Sequence, residues 1–205
     1  MHILKTPSEC YLYILEQKKN NKRIGFVPTM GSLHQGHLSL IDLAKQHSDI
    51  VFLSIFVNPL QFSENEDYDT YPRTLKDDIH AAKEHGCDVV FCPSESQLLS
   101  SEINTQVYIP HIGAKYCGIT RPHFFQGVCS IVLRLFNIVQ PTIAVFGEKD
   151  YQQLIILRQM VKDLFLPIEI IPAPIIREED GLAMSSRNQY LSSDYRKRAS
   201  KIYEM

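Results

Sequence analysis

The chain has 205 residues, 44% of them apolar and 21% charged, with a formal net charge of −2. This length and composition suit one large domain, or one domain plus a fragment, and exclude a disordered or low-complexity chain. The charge argues against nonspecific binding to nucleic acid or to an anionic membrane, and no apolar run has the length to span a bilayer. Met1–Lys22 holds no signal-peptide core. The five cysteines (Cys10, Cys87, Cys92, Cys117 and Cys129) are odd in number and lack a C-x-x-C pair, as expected of reduced thiols in a cytoplasmic protein.

Residues 7–19 predict an amphipathic helix with Tyr11, Ile14 and Leu15 on its inner side. Ile24, Phe26 and Val27 predict a strand ended by Pro28, a turn at Gly31, and a helix over 37–44 facing inward through Leu38, Ile41 and Leu43. IVFLSIFV, 50–57, is a continuous apolar run of the kind buried in parallel sheets. The polar stretch 58–73 is long for a plain connection, which points to a functional loop. A helix over 74–85 with Gly86 beyond it and a strand over 88–92 follow. Residues 106–109 read as a short strand and 114–125 as a loop. An apolar helix over 127–139, interrupted by Arg134 and Asn137, precedes a strand over 142–146. The last elements are a helix over 151–163, a strand over 168–171, a polar turn over 175–181 and a helix over 194–203. Strands alternating with helices predict an α/β fold with a parallel sheet. Such sheets bind ligands beyond the carboxyl ends of their strands.

Three chemically loaded stretches sit at those ends: 29–37, 58–62 and 147–150. In the first, His34-Gln35-Gly36-His37 opens a helix. A helix N-terminus presents free N–H groups and a partial positive charge, and imidazoles three residues apart share a face. The pattern is read either as a nucleotide phosphate site or as a helix cap, because Walker A and G-x-G-x-x-G are both absent. Lys149 follows a buried strand, either as an anion ligand or as a surface partner of Glu148 or Asp150. The amides of Gln61 and Gln153 suit hydroxyl and carboxylate groups. The hydroxyls of Ser185 and Ser186 and the guanidinium of Arg187 suit a triphosphate.

VPTMGSLHQGHLSL, SIFVNPLQF, YPRTLKDD, RPHFFQGV, FGEKDYQQL and REEDGLAMSSRNQYL, in this order along nearly the whole chain, resemble the pantothenate synthetase family. These ATP-dependent ligases join pantoate to β-alanine. H-x-G-H alone is shared by a superfamily of nucleotidylyl transferases and some aminoacyl-tRNA synthetases; VNPLQF, GEKDYQQL and GLAMSSRNQYL are far more specific. The resemblance implies a Rossmann-like parallel sheet with flanking helices, of nucleotidylyl transferase type. It implies that Met30, Gly31, Ser32, Leu33, His34, Gln35, Gly36 and His37 bind ATP, with His37 as proton donor and His34 and Lys149 beside it in catalysis. The positions of Gly147, Glu148, Lys149, Asp150, Ile176, Met184, Ser185, Ser186 and Arg187 would complete the ATP site. Gln61 and Gln153 would hold pantoate, Gln61 would also meet β-alanine, and the loop around Tyr71 would lie near the entrance. It further implies magnesium with ATP and a homodimer. Family members run longer, with a small C-terminal domain that closes over the site. The expected division is a domain over 1–175 and, over 176–205, a hinge and the start of that lid, so ATP binding with slow turnover is expected. Another adenylyl transferase, or a nucleotide-binding module without turnover, stays open as an alternative.

Overall fold

The computed structural model describes residues 1–64, 66–99 and 104–204. Strands β1 (His2–Leu4), β2 (Ile24–Thr29), β3 (Ile50–Ile55), β4 (Val89–Phe91), β5 (Ile143–Gly147) and β6 (Glu169–Ala173) form one sheet. Their spatial order is β1-β4-β3-β2-β5-β6 and every pairing is parallel. From β2 the chain therefore builds outward on one side through β3 and β4, and then crosses to β5 and β6 on the other. The reversal falls between β2 and β5, where a doubly wound sheet opens its ligand crevice.

Helices cover both faces. Helix α1 (Pro7–Lys19), α7 (Phe124–Val139) and α8 (Tyr151–Asp163) bury one apolar cluster around Phe26, Phe52 and Phe91. Helix α2 (Gln35–His47) and α3 (Leu75–Glu84) bury the other, around Val27, Leu53 and Val90. Alternate residues of each strand thus serve opposite layers, which explains the unbroken apolar runs. Short helices α4 (Glu95–Leu98), α5 (Pro110–Gly113) and α6 (Cys117–Thr120) lie between β4 and α7. After β6, Arg177 and Ala183 form an antiparallel bridge, and helices α9 (Ser193–Ala199) and α10 (Lys201–Glu204) end the chain.

Several expected elements are corrected. The most informative is Pro28, which lies within β2 and does not end it. The Ile24 carbonyl accepts from Thr142 on the β5 side, whereas the Thr29 carbonyl accepts from Phe56 on the β3 side. Backbone groups alternate along a strand, so the nitrogen of Pro28 faces β5. Its missing N–H stops only that ladder. Accordingly β2 pairs with β5 only at Gly25 and Phe26, but with β3 through all six residues to Thr29. The crevice opens where the β5 ladder stops.

Residues 106–109 form no strand, although the Val107 N–H bonds to Ser130 Oγ. The expected loop over 114–125 contains α6 and the first two residues of α7. Helix α1 turns Cys10 and Ile14 inward, while Tyr11 and Leu15 are exposed, because residues one turn apart share a face and adjacent ones do not. In α2, Leu40 and Ala44 join Leu38 and Ile41 in the core, whereas Leu43 is half-buried. The expected helix over 194–203 is two helices, broken at Ser200. Strand β1 is an edge strand of three residues that carried no apolar run.

Candidate active site

The crevice between β2 and β5 holds a cavity of about 240 Å³. Its apolar floor combines Pro28, Phe56 and Phe146 with Val128, Ile131, Val132 and Leu135, one face of α7 at helical spacing. Its polar rim includes His34, His37, Asn58, Gln61, Arg121, Lys149, Gln153 and Arg187. Residues far apart in the chain converge because most of them follow the carboxyl end of a strand, His34 and His37 after β2, Asn58 and Gln61 after β3, and Lys149 and Gln153 after β5.

The H-x-G-H turn serves as both cap and site. His34 is the N-cap of α2; its Nδ1 accepts the Gly36 N–H at 3.1 Å, and His37 Nδ1 accepts the His34 N–H at 3.4 Å. A ring nitrogen that accepts a backbone N–H carries no proton. Each imidazole is therefore assigned as the Nε2–H tautomer, which leaves Nε2–H as the free donor of each ring on the cavity lining. The rings lie 4.0 Å apart, tilted by 35°. Burial holds the His37 pKa down to about 3, reinforced by His34 and Lys149. Burial also lowers His34, again helped by Lys149. Both rings are thus neutral donors at neutral pH, and the positive charge of the rim comes from Lys149, Arg121 and Arg187.

The backbone around this turn is largely spoken for. The Ser32 and Leu33 N–H groups bond to Asp78 at 3.0 and 2.8 Å. Those of His37 and Leu38 bond to the His34 carbonyl at 2.7 and 3.1 Å. The expected cradle of free helix-terminal amides is replaced by two imidazole donors. Gly31 has φ +83°, a left-handed conformation suited to glycine.

Gln61 closes a 3₁₀ turn, Pro59–Gln61, capped by the buried Asn58. Asn58 Nδ2 donates to Gln61 Oε1 at 3.1 Å and to the Gly127 carbonyl at 3.2 Å. A Cβ on Gly127 would lie 2.1 Å from the Leu60 carbonyl oxygen, so glycine alone lets α7 meet this turn backbone to backbone. Gln153 enters the cavity from the first turn of α8. Lys149 Nζ is 3.8 Å from Asp150, so the expected surface pair and the expected place on the cavity wall are both present. Arg121 pairs with Glu66, donates to the Gln61 carbonyl at 2.9 Å and lies 3.9 Å over the Phe124 ring. Its guanidinium holds the Glu66 carboxyl below the usual range.

Across the mouth, Arg187 forms a two-pronged pair with Asp67 at 2.8 and 2.9 Å, and Tyr71 Oη lies 3.2 Å from Ser186 Oγ. Asp67 raises the Arg187 pKa, and Arg187 lowers that of Asp67. Burial raises the Tyr71 hydroxyl.

Of the expected site residues, Met30, His34, His37, Gln61, Lys149, Asp150, Gln153, Ser185, Ser186 and Arg187 line the cavity. Gly31, Ser32, Leu33, Gln35 and Gly36 shape the turn behind it. Gly147 and Glu148 lead into the Lys149 turn without reaching the lining. Ile176 and Met184 are joined to each other, the Met184 N–H bonding to the Ile176 carbonyl at 3.0 Å, and neither lines the cavity. Asn58, Arg121, Phe124 and Asp78 had no assigned role in the sequence, although each falls in a family stretch; only their contacts single them out.

Fold and motif together define an α/β protein of the nucleotidylyl transferase type. A family model described as Pantoate-beta-alanine ligase matches residues 2–205, and the chain belongs to that family. A pantothenate synthetase from Thermoanaerobacter sp. (strain X514) is 56% identical over 186 residues, which are 91% of this chain and 66% of the relative. The chain thus spans just under two thirds of that relative's length. The crystal structure of pantothenate synthetase from Thermus thermophilus superposes with a TM-score of 0.95 at 45% identity, covering 100% of this chain and 72% of the other. Pantoate-beta-alanine ligase from Francisella tularensis, solved in complex with beta-gamma ATP and beta-alanine, gives 0.95 at 41% identity and covers 100% and 78%.

Proposed function

We propose that this protein condenses pantoate with β-alanine at the expense of ATP, through a pantoyl adenylate. The observation that carries the reading is the cavity's division into a donor-rich cationic rim and an apolar floor edged by two amides. ATP lies along the rim formed by His34, His37, Lys149, Ser185, Ser186 and Arg187. Pantoate lies below, its dimethyl end on the floor and its hydroxyl and carboxylate toward Gln61 and Gln153. The pantoate carboxylate oxygen attacks the α-phosphorus, and the bond to pyrophosphate breaks. Charge grows on the phosphoryl and leaving oxygens, where the Nε2–H groups and Lys149 stabilise it. His37 donates to the leaving group. The amine of β-alanine, held near Gln61, then attacks the acyl carbon. It loses a proton, and AMP leaves with the carboxylate oxygen. No enzyme nucleophile is required.

Magnesium bound with ATP would neutralise phosphate charge. Among the described residues no three His, Cys, Asp or Glu side chains form a metal cluster, and Asp150 is the one carboxylate on the cavity lining. That donor set fits a metal carried by the nucleotide. Residues 1–175 form the ATP and pantoate domain, and 176–205 the hinge and start of a lid that shields the anhydride from water. No helix among the described residues is long and apolar enough to cross a membrane; a cytoplasmic homodimer that binds neither nucleic acid nor membrane completes the reading.

The test uses ATP with pantoate labelled by ¹⁸O in its carboxylate. Pyrophosphate release should depend on pantoate, label should appear in AMP after β-alanine is added, and His37→Ala should lower the rate about 10²-fold or more. Pyrophosphate release indifferent to pantoate rejects the function.

A further inference from the structure

We infer that Asp78, on the first turn of α3, is a positioning residue that presets both imidazoles by filling the backbone turn in front of them. Gly31 and Ser32 both have positive φ, +83° and +51°. For serine this conformation is strained and persists only where neighbours over-determine it. The turn aims the successive N–H groups of Ser32 and Leu33 at one point, an arrangement that binds anions in other proteins. Here the anion belongs to the chain itself. Asp78 is 3% exposed, and its Oδ2 accepts from Ser32 at 3.0 Å and its Oδ1 from Leu33 at 2.8 Å. Thr74 Oγ1 lies 3.1 Å from Oδ1. A Cβ on Gly31 would lie 3.0 Å from Oδ2, so the carboxylate is pressed directly beneath the turn. The residue after Leu33 is His34, whose N–H bonds to His37 Nδ1 and whose own Nδ1 caps Gly36. Asp78 thus fixes a backbone whose next two bonds set the tautomer and direction of both rings. It does not line the cavity, and it acts through His34 and His37. It also explains why this turn offers a phosphate side-chain donors and not open amides.

The experiment compares the 205-residue chain with Asp78→Asn, and with that change plus Ser32→Gly. Asparagine is near-isosteric but sets an NH₂ against one of the two N–H groups. Imidazole ¹⁵N spectra at neutral pH should show His34 and His37 as Nε2–H tautomers in the parent and as tautomer mixtures in Asp78→Asn. On the proposed function, on which this half rests, pantoate-dependent pyrophosphate release should fall about 10-fold or more in kcat, with KM for pantoate changed less than about 3-fold. Adding Ser32→Gly should recover part of the rate, since glycine holds positive φ without a Cβ penalty. If Asp78→Asn does not fold, Asp78→Glu, which keeps the charge and moves it by one methylene, takes its place with the same expectations. Parent-like tautomers and kcat in the folded variant overturn the inference, even where thermal stability has dropped. So does a lost rate that Ser32→Gly leaves unchanged. A parent chain with no pantoate-dependent release rejects the ligase reading alone, and the tautomer spectra still decide the role of Asp78.

Discussion

Replacing His37 by Asn should make folding stability less sensitive to acid. Asparagine Oδ1 can replace Nδ1 as acceptor for the His34 N–H but cannot be protonated. In the folded chain burial holds the His37 pKa down to about 3, against an ordinary value of 6.5. Between these values the unfolded chain binds a proton that the folded chain refuses. Stability from this group is therefore complete above pH 6.5 and is lost as pH falls toward 3. The slope is about 1.4 kcal/mol per pH unit for one such group. Integrated from about pH 7 to about pH 5, His37 removes about 2 kcal/mol. For a chain of this size that is a midpoint shift of about 4–8 °C. Thermal and urea unfolding of the parent and His37→Asn at both pH values measures the difference. Ionisable groups remote from His37 are common to the two proteins and cancel in the comparison. The parent should lose about 2 kcal/mol more than the variant on acidification. An identical gap between the proteins at the two pH values would show that His37 titrates normally, and would refute its assignment as a buried neutral donor.

Gln61→Ala and Gln153→Ala should each weaken pantoate binding more than ATP binding, because an amide facing a hydroxy acid is replaced by a methyl group; unchanged pantoate affinity by calorimetry in both variants rejects the role. Gly127→Ala should destabilise the fold by about 1–3 kcal/mol, the range for overpacking, since its Cβ would lie 2.1 Å from the Leu60 carbonyl oxygen. Because that contact seats Gln61, pantoate affinity should fall with it, and a melting midpoint equal to the parent's rejects the close approach. Asp67→Ala should tighten ATP binding several-fold by freeing Arg187, whose guanidinium is held by that carboxylate; weaker ATP binding would show instead that Asp67 aims Arg187 at the nucleotide.

The sequence by itself determined the layered α/β class and the family. Apolar runs such as 50–57 admit little but a strand covered on both faces, and the motif residues lie in contiguous blocks. It also located the rim, because His34, His37, Gln61 and Lys149 each stand just beyond a strand. What only the tertiary structure decided depends on contacts between distant segments. Pro28 reads locally as a strand breaker, yet it ends one ladder and leaves the other intact, because its nitrogen happens to face β5. The apolar spacing of α7 reads as ordinary core; its register against Leu60 turns Val128, Ile131, Val132 and Leu135 into a cavity floor. Asp78 reads as one more acid on an exposed helix, 45 residues from the turn whose amides it holds. Such pairings arise from packing across the sheet, and local periodicity carries no record of which residue will lie opposite.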